Sequence, residues 1–300
     1  MRLAGAIDIG GTAIKIGIVD ENGTIIRRER VPTSRDGEPV ALVNAIAASL
    51  QPMLDAAKGE KNPTSGIGVS VAGFLDPERL GMIHNANLVA LREFPLRRTL
   101  EKRFSLECPL EVDSNAAVVA EYRYGAGRGS TRLLGVTLGT GLGGGVIIDG
   151  QLLRYTGECA GDIGHIIVER NGRRCTCGAR GCLEAMVSVA ALSERGGGRT
   201  VREIITSARE GDQASLQALS ETGWWLGLGL ASLSPLFSPD TIAVGGGISA
   251  AGELLLESVR DSYQTHARPE FRDHTRVVGS SFEGWEGLIG AASLFLDPLA

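Results

Sequence analysis

Three cysteines lie within eight positions in the run "CTCGARGCLE", Cys175 to Glu184, and a histidine stands upstream at His165. The pattern is His-x9-Cys-x-Cys-x4-Cys, formed by His165, Cys175, Cys177 and Cys182. One imidazole and three thiolates can complete a tetrahedral zinc site, and closed Cys3His sites are structural. The spacing is not the Cys-x2-Cys of common zinc fingers, so on the residues alone incidental free thiols stay open as the alternative. No redox Cys-x-x-Cys is present. Five cysteines is an odd number, unsuited to a disulfide framework in a chain of 300 residues. A reducing cytoplasm is therefore expected, where clustered cysteines suggest metal or catalysis first.

Carboxylates and glycines supply the other chemistry. In "EVDSNAA", 111–117, Asp113 ends an apolar strand just before a helix, and ligands of open α/β sheets gather at the carboxyl ends of strands. A carboxylate held there can accept a proton from a poor nucleophile such as an alcohol. The plainer alternative is a helix N-cap, with Ser114 and Asn115 as local hydrogen-bonders. Glycine clusters at three strand ends: "IDIGGT" from Ile7, "LGTGLGGG" from Leu138 and "VGGGIS" from Val244. Without a Cβ such turns let backbone N–H groups approach an anion, and Thr12 and Thr140 add hydroxyl donors. Asp8, directly before the first turn, would repel a phosphate unless a cation such as Mg²⁺ intervened. Neither a P-loop nor a dinucleotide-binding G-x-G-x-x-G in strand–turn–helix context occurs.

These residues need a scaffold that brings strand ends together. Alternating patterns predict strands at Leu3–Ile9, Ile14–Val19, Ile25–Val31, Gly66–Val71, Leu110–Val112, Leu133–Leu138, Gly145–Ile148 and Thr241–Val244, with Asn22-Gly23 and Asp149-Gly150 as hairpin signals. Helical periodicity fills Pro39–Leu54, Leu96–Phe104, Ser114–Tyr124 and the stretches near 212–233, 250–265 and 285–296, while 193–200 reads as a loop. Each half opens with the same plan of strand, glycine turn, strand and hairpin, which points to an internal duplication and an α/β protein in two lobes. The composition, 43% hydrophobic and 22% charged, is that of a globular protein. A net charge of −5 with short, interrupted basic runs argues against nucleic acid or an anionic membrane as partner. No export signal or membrane span is read.

"DIGGT" at 8–12 resembles the first phosphate motif of the actin-like sugar kinases, "LGTGLGGG" the second, and "VGGGIS" the adenosine motif. Over nearly its full length the sequence is similar to the ROK family of bacterial sugar kinases and repressors, whose signature CxCGxxGCxE is matched by "CTCGARGCLE" at every fixed position. The resemblance implies two ribonuclease-H-like (actin-like ATPase) lobes with an interlobe cleft, the first of residues 1–113 plus 285–300 and the second of 114–284. It implies ATP and Mg²⁺ with Asp8, Gly10, Gly11, Thr12, Lys15, Thr140, Gly141, Gly245, Gly246 and Gly247. It further implies Asp113 as general base toward a sugar hydroxyl, a structural Zn²⁺ on His165, Cys175, Cys177 and Cys182, and a homodimer. Asn87, Asp162, His165 and Glu184 join Asp113 as expected sugar contacts; read without the family, Glu184 is a solvated carboxylate in a helix's first turn.

Two departures bear on the sugar. Val112 replaces the asparagine of the family's Glu-Asn-Asp, and Asp162 replaces the glutamate of "GEIGH" in glucose-specific members. A hexose kinase of glucokinase type is expected, with an N-acetylated amino sugar or fructose as the alternative substrate. A sugar-responsive repressor is disfavoured because only seven residues precede Asp8, too few for a helix-turn-helix. An inactive sugar-binding protein is disfavoured by the retention of Asp113 and both phosphate turns.

Overall fold

The computed structural model describes residues 1–33, 38–60, 62–84, 88–154 and 162–298, of which the His84 side chain is excepted. In chain order the elements are β1 (Leu3–Ile9), β2 (Ala13–Asp20), β3 (Ile25–Pro32), α1 (Pro39–Gly59), β4 (Thr64–Val71), β5 (Phe74–Leu75), β6 (Met82–His84), α2 (Leu96–Phe104), β7 (Leu110–Val112) and α3 (Asp113–Tyr124). They continue with β8 (Arg132–Leu138), β9 (Leu142–Ile148), β10 (Gln151–Leu152), α4 (Leu183–Val187), α5 (Val189–Arg195), α6 (Val201–Arg209), α7 (Gln213–Phe237), β11 (Thr241–Gly245), α8 (Glu253–His266), α9 (Pro269–Arg272), β12 (Arg276–Gly279) and α10 (Glu286–Leu296).

Two five-stranded sheets carry one topology. The first is ordered β3-β2-β1-β4-β7 and the second β10-β9-β8-β11-β12. In both, the leading strand pairs antiparallel with the second and parallel with the fourth, which pairs parallel with the fifth. This is the duplication expected from the glycine turns. At Asp149-Gly150 both residues take positive φ, 51° and 79°, as a tight hairpin turn requires. At the other hairpin Gly23 is left-handed, and the Asp20 carboxylate accepts from the amides of Asn22 (2.9 Å) and Thr24 (2.8 Å).

Two compact units result: Met1–Tyr124 with Gln151–Ala160 and Trp285–Ala300, and Gly125–Gly150 with Gly161–Gly284. Helix α3, which the sequence reading grouped with the second lobe, lies in the first unit because α10 returns to pack on it. That contact is backbone-close: a methyl group at Gly290 would stand 1.7 Å from the Ala116 carbonyl oxygen, and one at Gly68 would stand 1.7 Å from that of Ala291. Helix α10 thus sits on both α3 and β4. Beneath them β1 is buried along its whole length, and Asp8 is its one charged residue. The opposite layer, α1 and α2, closes a core of Leu3, Ile7, Ile16, Ile46, Leu50, Val69 and Leu100. Burying each such side chain contributes about 1.5–3 kcal/mol. Helix α1 is long and apolar enough to cross a membrane by length and composition alone, yet Leu42, Val43, Ile46, Leu50 and Leu54 are spent on this core.

In the second unit α7 and α8 cover the sheet. Gly223, Leu226, Gly227, Leu230 and Leu233 form the buried stripe of α7, and the small residues admit α8 closely. Trp224 stays on the outer face, edge-on to Trp225 and His266. Helix α4 runs on from Cys182 as expected, and two helices absent from the sequence reading follow it, α5, which takes in part of the expected loop at 193–200, and α6. The last of them starts on a capping box between Thr200 and Glu203.

Candidate functional site

The ladder register builds the candidate site residues of the first unit. Asp8 sits opposite Lys15 on β2 and beside Ser70 on β4. Its carboxylate accepts from the Lys15 ammonium (2.8 Å) and the Ser70 hydroxyl (2.9 Å), and it is only 6% exposed. A buried carboxylate so clamped is fixed in direction. The Gly10–Thr12 turn follows directly, with the Thr33 hydroxyl donating to the Gly10 carbonyl at 2.8 Å.

Asp113 stands where β7 ends and α3 begins, half-buried. Its Oδ1 accepts the Ser114 amide at 2.8 Å. Burial, and after it the negative charge of Asp8, push the carboxyl up from its ordinary 3.8 to about 6, against the pull of the Ser114 amide and Lys15. That value is poised for proton transfer near neutral pH. The strand end is anchored by Glu111, 1% exposed, which the sequence reading passed over. Glu111 pairs with Arg79 and with Arg154 (3.0 Å) and accepts from the Val112 amide (2.9 Å) and Asn115 (3.0 Å). An acidic residue inside an apolar strand was the available signal, and its two arginine partners are far away in sequence. Val112 turns its side chain to the first core.

The second unit carries the other residues. Its turn spans Gly139–Gly141 between β8 and β9, and Gly246 lies against its start. With φ of 90°, Gly246 leaves no room for a Cβ, which would meet the Leu138 backbone at 2.4 Å. The second and third glycine motifs therefore share one surface.

His165, Cys175, Cys177 and Cys182 converge, their ligand atoms all within 4.8 Å of one another. The Cys175 sulfur is 3.5 Å from His165 Nδ1, and the sulfurs of Cys177 and Cys182 are 3.7 Å apart. A tetrahedron with Zn–S near 2.3 Å has S···S edges of about 3.8 Å, so the donor set fits zinc in kind and in spacing. Burial, then the crowding of neighbouring thiols, pushes Cys182 up to about 12, so a thiolate there calls for a cation. On the ring's other side His165 Nε2 lies 3.4 Å from Asp162 Oδ2, the carboxylate–histidine–metal arrangement. Burial chiefly, and also the Glu184 charge, raises the Asp162 carboxyl.

Glu184 is in the first turn of α4, directly after the Cys182 cap. It is bound rather than merely solvated: Oε2 accepts the Leu142 amide (3.0 Å) and Oε1 the Thr176 hydroxyl (3.1 Å). Thus Asp8, Gly10, Gly11, Thr12, Lys15 and Asp113 fall in the first unit, and Thr140, Gly141, Gly245, Gly246, Gly247, Asp162, His165 and Glu184 in the second. Asn87 lies outside the described residues.

Paired sheets of one topology, with carboxylates at the strand ends of one and glycine turns beside a Cys3His cluster in the other, define an actin-like α/β fold. The chain belongs to the ROK family, which it matches over residues 4–298. It is 35% identical to a glucokinase of Streptomyces coelicolor, with 99% of each chain covered, and 31% identical to an N-acetylmannosamine kinase of Escherichia coli, covering 96% of this chain and 97% of that one. Among solved structures it is similar to a ROK family glucokinase from Streptomyces griseus in complex with glucose and AMPPNP. That likeness has a TM-score of 0.86 and 35% identity, and covers 97% of this chain and 98% of the other.

Proposed function

We infer that the protein is an ATP-dependent sugar kinase of glucokinase type, transferring the γ-phosphoryl group of MgATP to a hexose hydroxyl. The observation that carries the mechanism is Asp113, a carboxyl pushed up to about 6 at a strand end near Asp8, which Lys15 and Ser70 clamp. Asp113 takes the proton of the sugar hydroxyl as that oxygen attacks. Asp8 and Lys15, with the Gly10–Thr12 turn, attend the nucleotide's phosphates, and Asp8 is the group that would hold Mg²⁺. Bound Mg²⁺ supplies charge neutralisation on the phosphates. Thr140, Gly141 and Gly245 to Gly247 contribute backbone surface and hydroxyl donors to the same ligand.

Zinc on His165, Cys175, Cys177 and Cys182 is a structural ion in this reading. It fixes the loop on which His165 and Glu184, with Asp162 and Asn87, orient the sugar. The enzyme works in a reducing cytoplasm, in keeping with thiols at ligand distance from one another. It works as a homodimer, for which exposed Trp224 and Leu236 on α7 offer a face.

A second substrate, N-acetylmannosamine, is favoured by one observation: Val112 faces the core and offers no hydrogen bond. A site without that arm discriminates less among hydroxyl orientations. The test is a coupled kinase assay with MgATP over glucose, N-acetylmannosamine, N-acetylglucosamine, fructose, mannose and allose. Turnover of glucose is expected; turnover of only an N-acetylated sugar selects the second substrate, and MgATP binding without turnover on any sugar refutes the kinase.

A further inference from the structure

The Glu184 carboxylate is built into the glycine turn of its unit as well as into the cysteine loop. Its Oε2 accepts the Leu142 amide at 3.0 Å, which closes the turn. The turn is moulded to it: a methyl group on Gly141 would stand 2.4 Å from that same oxygen. Two further contacts lock the neighbourhood. The Val189 amide donates to the Gly139 carbonyl at 2.9 Å, and Gly164, beside His165, packs where a Cβ would meet the Leu142 carbonyl at 2.4 Å. Meanwhile the amides of Thr140 and Gly141 donate to none of the described residues, as an anion-accepting turn requires. The other oxygen, Oε1, is held by the hydroxyl of Thr176, between two of the cysteines.

We propose that Glu184 is a positioning residue for the nucleotide turn, so that the sugar-facing segment and the phosphate-facing turn are coupled through one carboxylate. This rests on the kinase reading, with Thr140 and Gly141 as phosphate contacts. A sugar hydroxyl reaching Oε1 takes the place of Thr176 while Oε2 stays on Leu142, and the turn becomes pinned from both sides. Coupling of this kind is reciprocal: whatever sugar does for nucleotide affinity, nucleotide does for sugar affinity.

The test is calorimetric binding of MgAMPPNP to the zinc-loaded full chain with no sugar present. Glu184→Ala leaves the Leu142 amide unpaired and should weaken binding by about tenfold. Glu184→Gln keeps a carbonyl acceptor for that amide and should bind within about threefold of wild type, a rescue that loss of a mere sugar contact does not predict. Thr176→Ala, which removes the hydroxyl from Oε1 and leaves Oε2 on Leu142, should bind within about twofold. Equal affinity of wild type and Glu184→Ala overturns the proposal, whereas failure of the wild type itself to bind MgAMPPNP overturns the kinase reading beneath it. Should Glu184→Ala lose its zinc, Gly141→Ala decides from the other side. Its methyl group displaces the carboxylate without replacing any of the four candidate metal ligands, and the affinity for whichever of glucose or N-acetylmannosamine the wild type phosphorylates, measured without nucleotide on protein whose zinc content is checked, should fall about tenfold. Unchanged sugar affinity overturns the proposal.

Discussion

At the end of β1 the ladder sets Asp8 between Lys15 on β2 and Ser70 on β4; at the matching end of β8 it sets Thr137 between Gly143 on β9 and Gly245 on β11. The strand plan is one and the same, but a charged triad in the first unit answers to a threonine and two glycines in the second. A carboxylate clamped by a cation can address Mg²⁺ and tune a neighbouring acid. Bare backbone can come close to a phosphate, yet it has nothing to hold its own shape. The second unit acquires that shape from outside the sheet, from the Cys3His loop and Glu184. Duplication thus supplied two equal scaffolds, one stiffened by an internal ion pair and the other, on the reading proposed above, by a loop that zinc would clamp.

The comparison breaks most visibly where the stiffening is removed. Replacing Cys182, fully buried among the ligands, by Ala should abolish zinc binding and lower turnover at least tenfold. Hydrogen exchange would then rise over residues 163–187 while β1, β4 and β7 stay protected. Equal protection in both units would mean that the metal stiffens nothing. In the first unit Lys15→Ala leaves Asp8 held by the Ser70 hydroxyl and should cost about 2–3 kcal/mol, less than a fully buried pair because Lys15 is 22% exposed. Urea unfolding measures this, and a change below about 0.5 kcal/mol would dissolve the claim that the triad organises the strand ends.

A smaller effect concerns pH. The folded pKa of Asp113 is raised to about 6 from 3.8, so its protonated form favours folding. That contribution is complete below about pH 4 and is lost as pH rises to 6. Activity runs the opposite way over the same window, because the base must be ionised. Carbon-detected titration of the side chain should give a midpoint near 6, and Asp8→Asn should lower it by removing a like charge. The smallest change expected is from Val112→Asn. On the core-facing side of β7 the amide costs about 1–2 kcal/mol and shifts the ratio of kcat/KM between glucose and N-acetylmannosamine by less than about tenfold.

Eight strands were legible as runs bounded by glycine or a turn signal, Leu3–Ile9 and Leu110–Val112 matching to the residue, whereas β5, β6, β10 and β12, each of two to four residues, were too short to read. The convergence of His165, Cys175, Cys177 and Cys182 was legible because all four lie within eighteen positions. What escaped depends on distance along the chain. Ser70 meets Asp8 only through the parallel ladder, and Arg79 and Arg154 meet Glu111 from two separate loops. Helices α5 and α6 are short and interrupted, so their periodicity is too brief to read. The first unit's claim on α3 comes from Gly290, whose role is visible only once α10 has returned across 160 residues of chain.

The central claim, that Asp113 is the base of a sugar kinase, is tested most directly by comparing turnover of wild type and Asp113→Ala at saturating MgATP and sugar, with sugar affinity measured alongside. The account predicts a fall in kcat of at least about a thousandfold with affinity changed only a few-fold. Turnover retained at the wild-type level would contradict it.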